Sequence, residues 1–235
     1  MNPIGWIFGR KVRLSPEQGR RLDAWRSLDE PDLGSSQQPR RYVAVDVESS
    51  GLDVHRDRLI AIGAVGIMDS RIVYADSFYS VLRQDKASSD DNIIVHGIGG
   101  SEQTAANDPC EVMLAFLEYV GKAPLIGYHS PFDEVMIAKA TRRYLGERCH
   151  RSWIDLAWLA PAIEQGRAKM RKSLDEWMDV FGIVNISRHN AFADALATAQ
   201  LFQVLQPRAM AQGMRSTTAL IEAAASQRLL ESQRY

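Results

Sequence analysis

The segment Tyr42-Val43-Ala44-Val45-Asp46-Val47-Glu48-Ser49-Ser50-Gly51-Leu52 constrains this chain more than any other. Its β-branched and apolar residues favour an extended strand, and Ser-Ser-Gly ends the run. Side chains alternate along a strand, so Tyr42, Ala44, Asp46 and Glu48 leave on one face and Val43, Val45 and Val47 on the other. Two carboxylates one pleat apart on an apolar strand have two explanations. Either that face is solvated, or something positive meets them. Unpaired charge buried in protein costs several kcal/mol, on the order of what an ion pair or a metal must supply. A hard divalent cation with oxygen ligands would relieve the repulsion.

At 235 residues the chain allows one sizeable domain with extensions, or at most two small domains. Apolar residues at 46% and charged residues at 24% suit a globular protein, and no apolar run is long enough to cross a bilayer. The opening Ile4-Gly5-Trp6-Ile7-Phe8-Gly9 lacks a preceding charge and a cleavage pattern, so it does not read as a signal peptide. Cys110 and Cys149 are too few for a disulfide framework or a zinc cage, and a reducing cytoplasm is the expected setting. The net charge of −1 hides a division: residues 1–41 carry +3, residues 207–235 carry +2, and the centre therefore carries −6. An acidic centre excludes a protein that coats nucleic acid through a broad basic surface. It suits clustered carboxylates whose bound cations then meet phosphates.

Ser15-Pro16-Glu17-Gln18 predicts a capped helix running to about Leu28, with Leu22 and Trp25 on its apolar face. Asp29 to Arg41 reads as a linker, so residues 1–40 form an N-terminal helical extension. Leu59 to Met68 and Arg71 to Leu82 predict two more strands in an antiparallel meander with the first. Short helices are expected across Gly100–Ala106 and Asp108–Val120, a strand at Ala123–Tyr128, and a helix from Pro131 to about Tyr144. Trp153 to Leu159 is apolar around Asp155, Ser173 opens a helix to Phe181, and Ala191 to Leu205 is a strong helix. Residues 207–235 form a C-terminal helical tail. Strands that come first and then alternate with helices indicate an α/β domain with a mixed sheet over residues 41–206.

Three later places supply acids and imidazoles. His129-Ser130-Pro131-Phe132-Asp133 lies at a strand-to-helix junction, although Ser130 and Asp133 also read as a capping box. His189-Asn190-Ala191-Phe192-Ala193-Asp194 puts a histidine in a loop and a carboxylate one turn into a helix; the plainer reading is an acid favoured by the helix dipole beside a surface histidine. Asp155 reads as a strand-end or helix-start carboxylate.

Taken in order, Asp46-Val47-Glu48, Phe132-Asp133 and His189 to Asp194 resemble the DEDDh family of 3′–5′ exonucleases. The resemblance extends to Ser49-Ser50-Gly51-Leu52 and Val95-His96-Gly97-Ile98, and covers roughly Arg41 to Leu205. The proofreading epsilon subunit of bacterial replicative DNA polymerase and its stand-alone cousins look most similar. The resemblance implies a ribonuclease H-like exonuclease fold with a five-stranded mixed sheet flanked by helices. It implies two Mg2+ or Mn2+ ions held by Asp46, Glu48, Asp133 and Asp194, with His189 as general base. It also implies substrate contacts at Ser49, Gly51, Leu52, Asp91 and His96: Leu52 wedging between the last two bases, Asp91 and His96 meeting the terminal sugar or phosphate. His96 has a second reading as a loop histidine bonded to backbone. His129 is expected to brace the site loop, and His55 and His150 to be surface residues. The basic run Arg167-Lys169-Arg171-Lys172 reads as a solvated helix entry or a phosphate contact.

Two motifs depart from the family, which usually shows Thr-Thr-Gly after the first pair and His-Asn-Ala before Phe-Asp. Here they are Ser-Ser-Gly and His-Ser-Pro. The expected function is metal-dependent release of nucleoside 5′-monophosphates from single-stranded or frayed DNA 3′ ends. The rivals are an exoribonuclease and a non-catalytic subunit docked on a polymerase or nucleic acid through the terminal extensions.

Overall fold

The acid-bearing strand is the middle of the sheet. The computed structural model describes residues 12–36, 41–164, 172–185 and 187–233. In chain order its elements are α1 (Pro16–Arg26), β1 (Arg41–Ser49), β2 (Leu59–Met68), β3 (Arg71–Val81), α2 (Asp90–His96), α3 (Gly100–Ala105), α4 (Pro109–Val120), β4 (Leu125–Gly127), α5 (Pro131–Leu145), β5 (Trp153–Asp155), α6 (Leu156–Ile163), α7 (Leu174–Phe181), α8 (Ala191–Ala211) and α9 (Thr217–Ser232). The sheet order is β3-β2-β1-β4-β5. The first three strands form the expected antiparallel meander, and β4 and β5 join in parallel beside β1. This is the mixed five-stranded sheet of the ribonuclease H-like exonuclease fold.

Each face of β1 feeds its own core. Val43, Val45 and Val47 join Ile62 and Ala64 beneath α1, α4 and α5. Tyr42 and Ala44 join Val65 and Ile67 beneath α6, α7, α8 and α9. Asp46 and Glu48 continue that second face outward, beyond the packed apolar part. Their cross-strand partners on β2 are Gly63 and Ala61, the smallest residues available.

Gly63 sets how closely α8 approaches. Directly paired residues in an antiparallel ladder point to the same side. A Cβ on Gly63 would stand 2.2 Å from the carbonyl carbon of Ala191 and 2.3 Å from the Phe192 nitrogen. The first turn of α8 therefore lies against the sheet at the level of Asp46, which brings Asp194 over β1.

Both terminal helices are seated on this core. Leu22 and Trp25 of α1 are buried against α4, as the sequence pattern expects, and the Ser15–Gln18 capping box is formed. Arg21 pairs with Glu111 and Glu118 of α4, so part of the N-terminal basic excess is neutralised internally. α9 packs on α6 and β5, and the buried Tyr42 and Thr217 hydroxyls share a 2.9 Å hydrogen bond. α8 runs past residue 206 to Ala211 with Pro207 inside it. Leu205 and Ala209 are wholly buried on either side of that proline, and their packing outweighs its local penalty. The apolar stretch from Trp153 divides into β5 and α6 at Asp155, and α2 is a helix the sequence pattern does not reveal. Residues 1–11, including Ile4 to Gly9, and Arg167, Lys169 and Arg171 of the basic run lie outside the described residues. Among the described residues no helix is long and apolar enough to cross a membrane.

Substituting Gly63→Ala should destabilise the protein by roughly 1–3 kcal/mol through overpacking. A denaturant midpoint indistinguishable from wild type would contradict the close seating of α8 on β2.

Candidate active site

Four carboxylates lie towards the outward end of β1: Asp46 and Glu48 on its second face, Asp194 from α8 above that face and Asp133 from the start of α5. Asp46 and Glu48 keep some exposed surface, while Asp133 and Asp194 are each about 5% exposed. Burial holds the Asp46 carboxyl well above the usual range, and Asp133, Asp194 and Glu48 each push it further up. Burial and the charge of Asp194 push Glu48 up to about 8. Burial also holds Asp133 high, with Asp155 and Glu48 adding to it against the opposing pull of the Asp133 and Val47 amides. Acids from β1, α5 and α8 thus bear on one another's ionisation.

Asp194 is the most closely held of the four. Its Oδ1 accepts from Asn185 Nδ2 at 2.5 Å and its Oδ2 accepts from the His189 amide at 3.1 Å. The guanidinium of Arg188 pairs with the same Oδ2 and also binds Asp175 at 2.6 Å. Arg188 lowers the proton affinity of Asp46 and Glu48 as well, so one cation serves three of the four acids. No sequence motif singles out Arg188 or Asn185. The one signal is the place of Arg188 next to His189.

His189 is exposed, with a left-handed backbone (φ 58°) just before the Asn190 cap of α8. A non-glycine residue in that region is uncommon and is held there by its surroundings, here by the bond from its own amide to Asp194. His129 repeats the conformation (φ 60°) before α5, and its amide donates to Asp155 Oδ1 at 2.9 Å. Asp155 also caps α6. The expected bracing of the loop at His129 is therefore a backbone bond to Asp155. The alternative capping box of α5 is not formed, because the Ser130 side chain makes no cap bond. That leaves Asp133 facing the other acids.

The loop after β1 is built around Asp57. Its carboxylate accepts from the Ser50 hydroxyl and the Asp53 amide, both at 2.8 Å. A Cβ on Gly51 would stand 2.5 Å from that carboxylate, so only glycine fits there. The Ser49 hydroxyl is turned to the Gly51 carbonyl at 2.7 Å. Lys139 on α5 clasps the same loop, its Nζ donating to the carbonyls of Val54, His55 and Asp57 at 2.7–2.9 Å. Leu52 projects from this rigid support with 89% of its surface exposed.

Asp91 lies exposed in the first turn of α2. His96 ends α2 and is bonded within the protein. Its Nδ1 accepts the Ile98 amide, so Nε2 carries the proton and faces Asn92 Oδ1 at 3.0 Å. Both ring nitrogens are used inside the protein and the residue is 4% exposed. These bonds are those of the backbone-bonded reading.

Residues 43–202 match the family profile described as exonuclease, RNase T type. The chain belongs to the exonuclease family. Its ordered acids and histidine are those of the DEDDh type. The epsilon subunit of DNA polymerase III from Aquifex aeolicus is 30% identical over 168 residues, covering 68% of this chain and 78% of that protein. The PolC-type DNA polymerase III of Thermotoga petrophila is 29% identical over 169 residues, covering 72% of this chain but 12% of the polymerase. Exonuclease I of E. coli in complex with a dT13 oligonucleotide has the same fold, with a TM-score of 0.61 at 16% identity over 74% of this chain and 42% of that one. Its zinc-bound complex with single-stranded DNA gives 0.60 at 19% identity, covering 72% and 42%. The chain thus spans about an eighth of the polymerase and under half of exonuclease I.

The donor set fits a hard divalent cation: four carboxylates, no sulfur, and one guanidinium in competition. Among the described residues, no three such side chains are gathered tightly enough as they stand to chelate an ion. Asp194 is committed to Arg188 and Asn185, and binding an ion requires that commitment to loosen.

A pH dependence follows from Glu48. Its folded pKa of about 8 lies above the ordinary 4.5, so the folded state holds more protons than the unfolded one between those values. The contribution of Glu48 to the stability of the metal-free protein is therefore fully present below about pH 4.5 and is lost as pH rises through about 8. Buried Asp46 and Asp133 act in the same direction. Thermal melts in chelator across that range should show a falling Tm, with a shallower fall in Glu48→Gln; a flat profile would refute the raised carboxyls.

Proposed function

We propose that this protein is a 3′–5′ exonuclease that removes nucleoside 5′-monophosphates one at a time from DNA 3′ ends. The observation that carries the reading is the convergence of Asp46, Glu48, Asp133 and Asp194 on one end of the sheet, where burial makes their mutual repulsion costly. Those four residues would hold two divalent ions. Ions bound there lower the pKa of a water and neutralise charge on the phosphate in flight.

The chain's own groups divide the remaining work. His189 takes the proton from the attacking water, its exposed side chain standing just before the helix that carries Asp194. Asn185 and the His189 amide orient Asp194. Asp155 holds the turn from which α5 delivers Asp133. Ser49 and Gly51 shape the floor beneath the terminal nucleotide, Leu52 wedges between the last two bases, and Asp91 meets the terminal sugar. Arg188 supplies positive charge to the acids through its pair with Asp194, and is itself held by Asp175.

We place this activity in proofreading or repair in the cytoplasm. Single strands or frayed ends are the substrate, and a polymerase or other protein is the partner that the terminal segments would meet. Both described cysteines are free, as that compartment requires. A non-catalytic role has no use for four converging acids.

Asp46→Asn and His189→Ala should each lower mononucleotide release from a 5′-labelled DNA strand, the histidine variant by roughly 10²–10⁴-fold. Both should keep the wild-type circular dichroism spectrum. A matched RNA strand in the same assay decides the sugar, and undiminished shortening by both variants would remove the proposed mechanism.

A further inference from the structure

A second cleft, of about 560 Å³, opens between the loop after β1 and the far half of α5. Its volume is in the usual range for ligand sites, roughly 300–1,000 Å³. Its walls belong to the two elements that also carry Leu52 and Asp133: Val54 follows Leu52 by two residues in the loop, and Val135 follows Asp133 by two residues on α5. Val54, Val135 and Ala138 give it an apolar wall. Arg142 and Arg148 stand at it with their side chains exposed, and His55 and His150 add imidazoles.

The charge of this cleft is one-sided. No carboxylate lines it. Among the described residues no ion pair engages Arg142 or Arg148, as is also true of other exposed arginines such as Arg215 and Arg228. Lys139, also at the wall, is spent on three loop carbonyls. Glu134 makes itself felt at His150 and at Cys149, from the position next to Val135. Two unpaired guanidinium groups beside an apolar wall match a phosphodiester next to a base.

We propose that this cleft is a strand-holding site for single-stranded nucleic acid. It takes a nucleotide upstream of the one being removed, with the base on Val54, Val135 and Ala138 and the phosphodiester at Arg142 and Arg148. The proposal rests on the exonuclease reading and extends it from the reacting end to the strand behind it. The cleft contributes affinity for length and nothing to bond cleavage, since none of these side chains belongs to the acid cluster.

The test uses the full chain carrying Arg142→Gln and Arg148→Gln together. Both residues are exposed, so the fold should be unaffected and the melting temperature checks it. Hydrolysis of the p-nitrophenyl ester of thymidine 5′-monophosphate reports the reacting centre alone. Binding of labelled oligo(dT) across a salt series reports the strand. The double variant should hydrolyse the ester as wild type does and bind oligo(dT) more weakly, with a salt slope smaller by about 0.7 for the one phosphate the variant no longer neutralises. A control with Arg215→Gln and Arg228→Gln, both exposed beside or on α9, should leave the slope unchanged. Unchanged affinity and slope in the first variant, or an equal weakening in the control, overturns the strand-holding site while the wild type still degrades DNA. Wild-type protein inert towards both ester and oligonucleotide overturns the exonuclease reading instead, and this site with it.

Discussion

Repulsion among carboxylates in a poorly solvated place governs this structure. Placing Asp46, Glu48, Asp133 and Asp194 together works against folding, because each raises the cost of ionising its neighbours. The rest of the fold supplies the force that holds them there. Apolar faces of β1 and β2 pack on both sides, and α8 is seated on the sheet through the gap left by Gly63. Packing thus imposes an arrangement that electrostatics alone would disperse. The same tension defines the chemistry, since only a strong local positive charge relieves it.

Arg188 shows how the chain answers that demand by itself. It bridges Asp194 and Asp175 and eases the charge on Asp46 and Glu48. A guanidinium is a monovalent, planar donor that satisfies the edges of carboxylates without drawing four of them into a shared coordination shell. It keeps the acids tolerable without making them a ligand cage. The difference between Arg188 and a divalent ion is therefore a difference between storage and use of the same residues.

Much of this is legible in the sequence because alternation and capping are local. The meander, the Ser15 and Ser173 capping boxes, and the inward and outward faces of β1 each follow from a few neighbouring residues. The four acids can be gathered only through motif order, since no local rule says that Asp133 and Asp194 meet Asp46. What stays hidden depends on contacts distant in the chain. Pro207 marks an end by its own chemistry, yet buried neighbours carry α8 through it. His96 has the look of a ligand-contacting loop residue until α2 folds and turns both its nitrogens inward. Arg188, Asn185 and Lys139 are ordinary surface types in sequence, and their tasks arise only when another element supplies the partner.

The clasp of Lys139 has one more consequence. It fastens the loop that carries Leu52 to the helix that carries Asp133, so the wedge and one of the acids belong to a single rigid piece. If the proposed exonuclease function holds, that tie would act as a gauge, keeping Leu52 and Asp133 at one spacing along a strand whatever its bases.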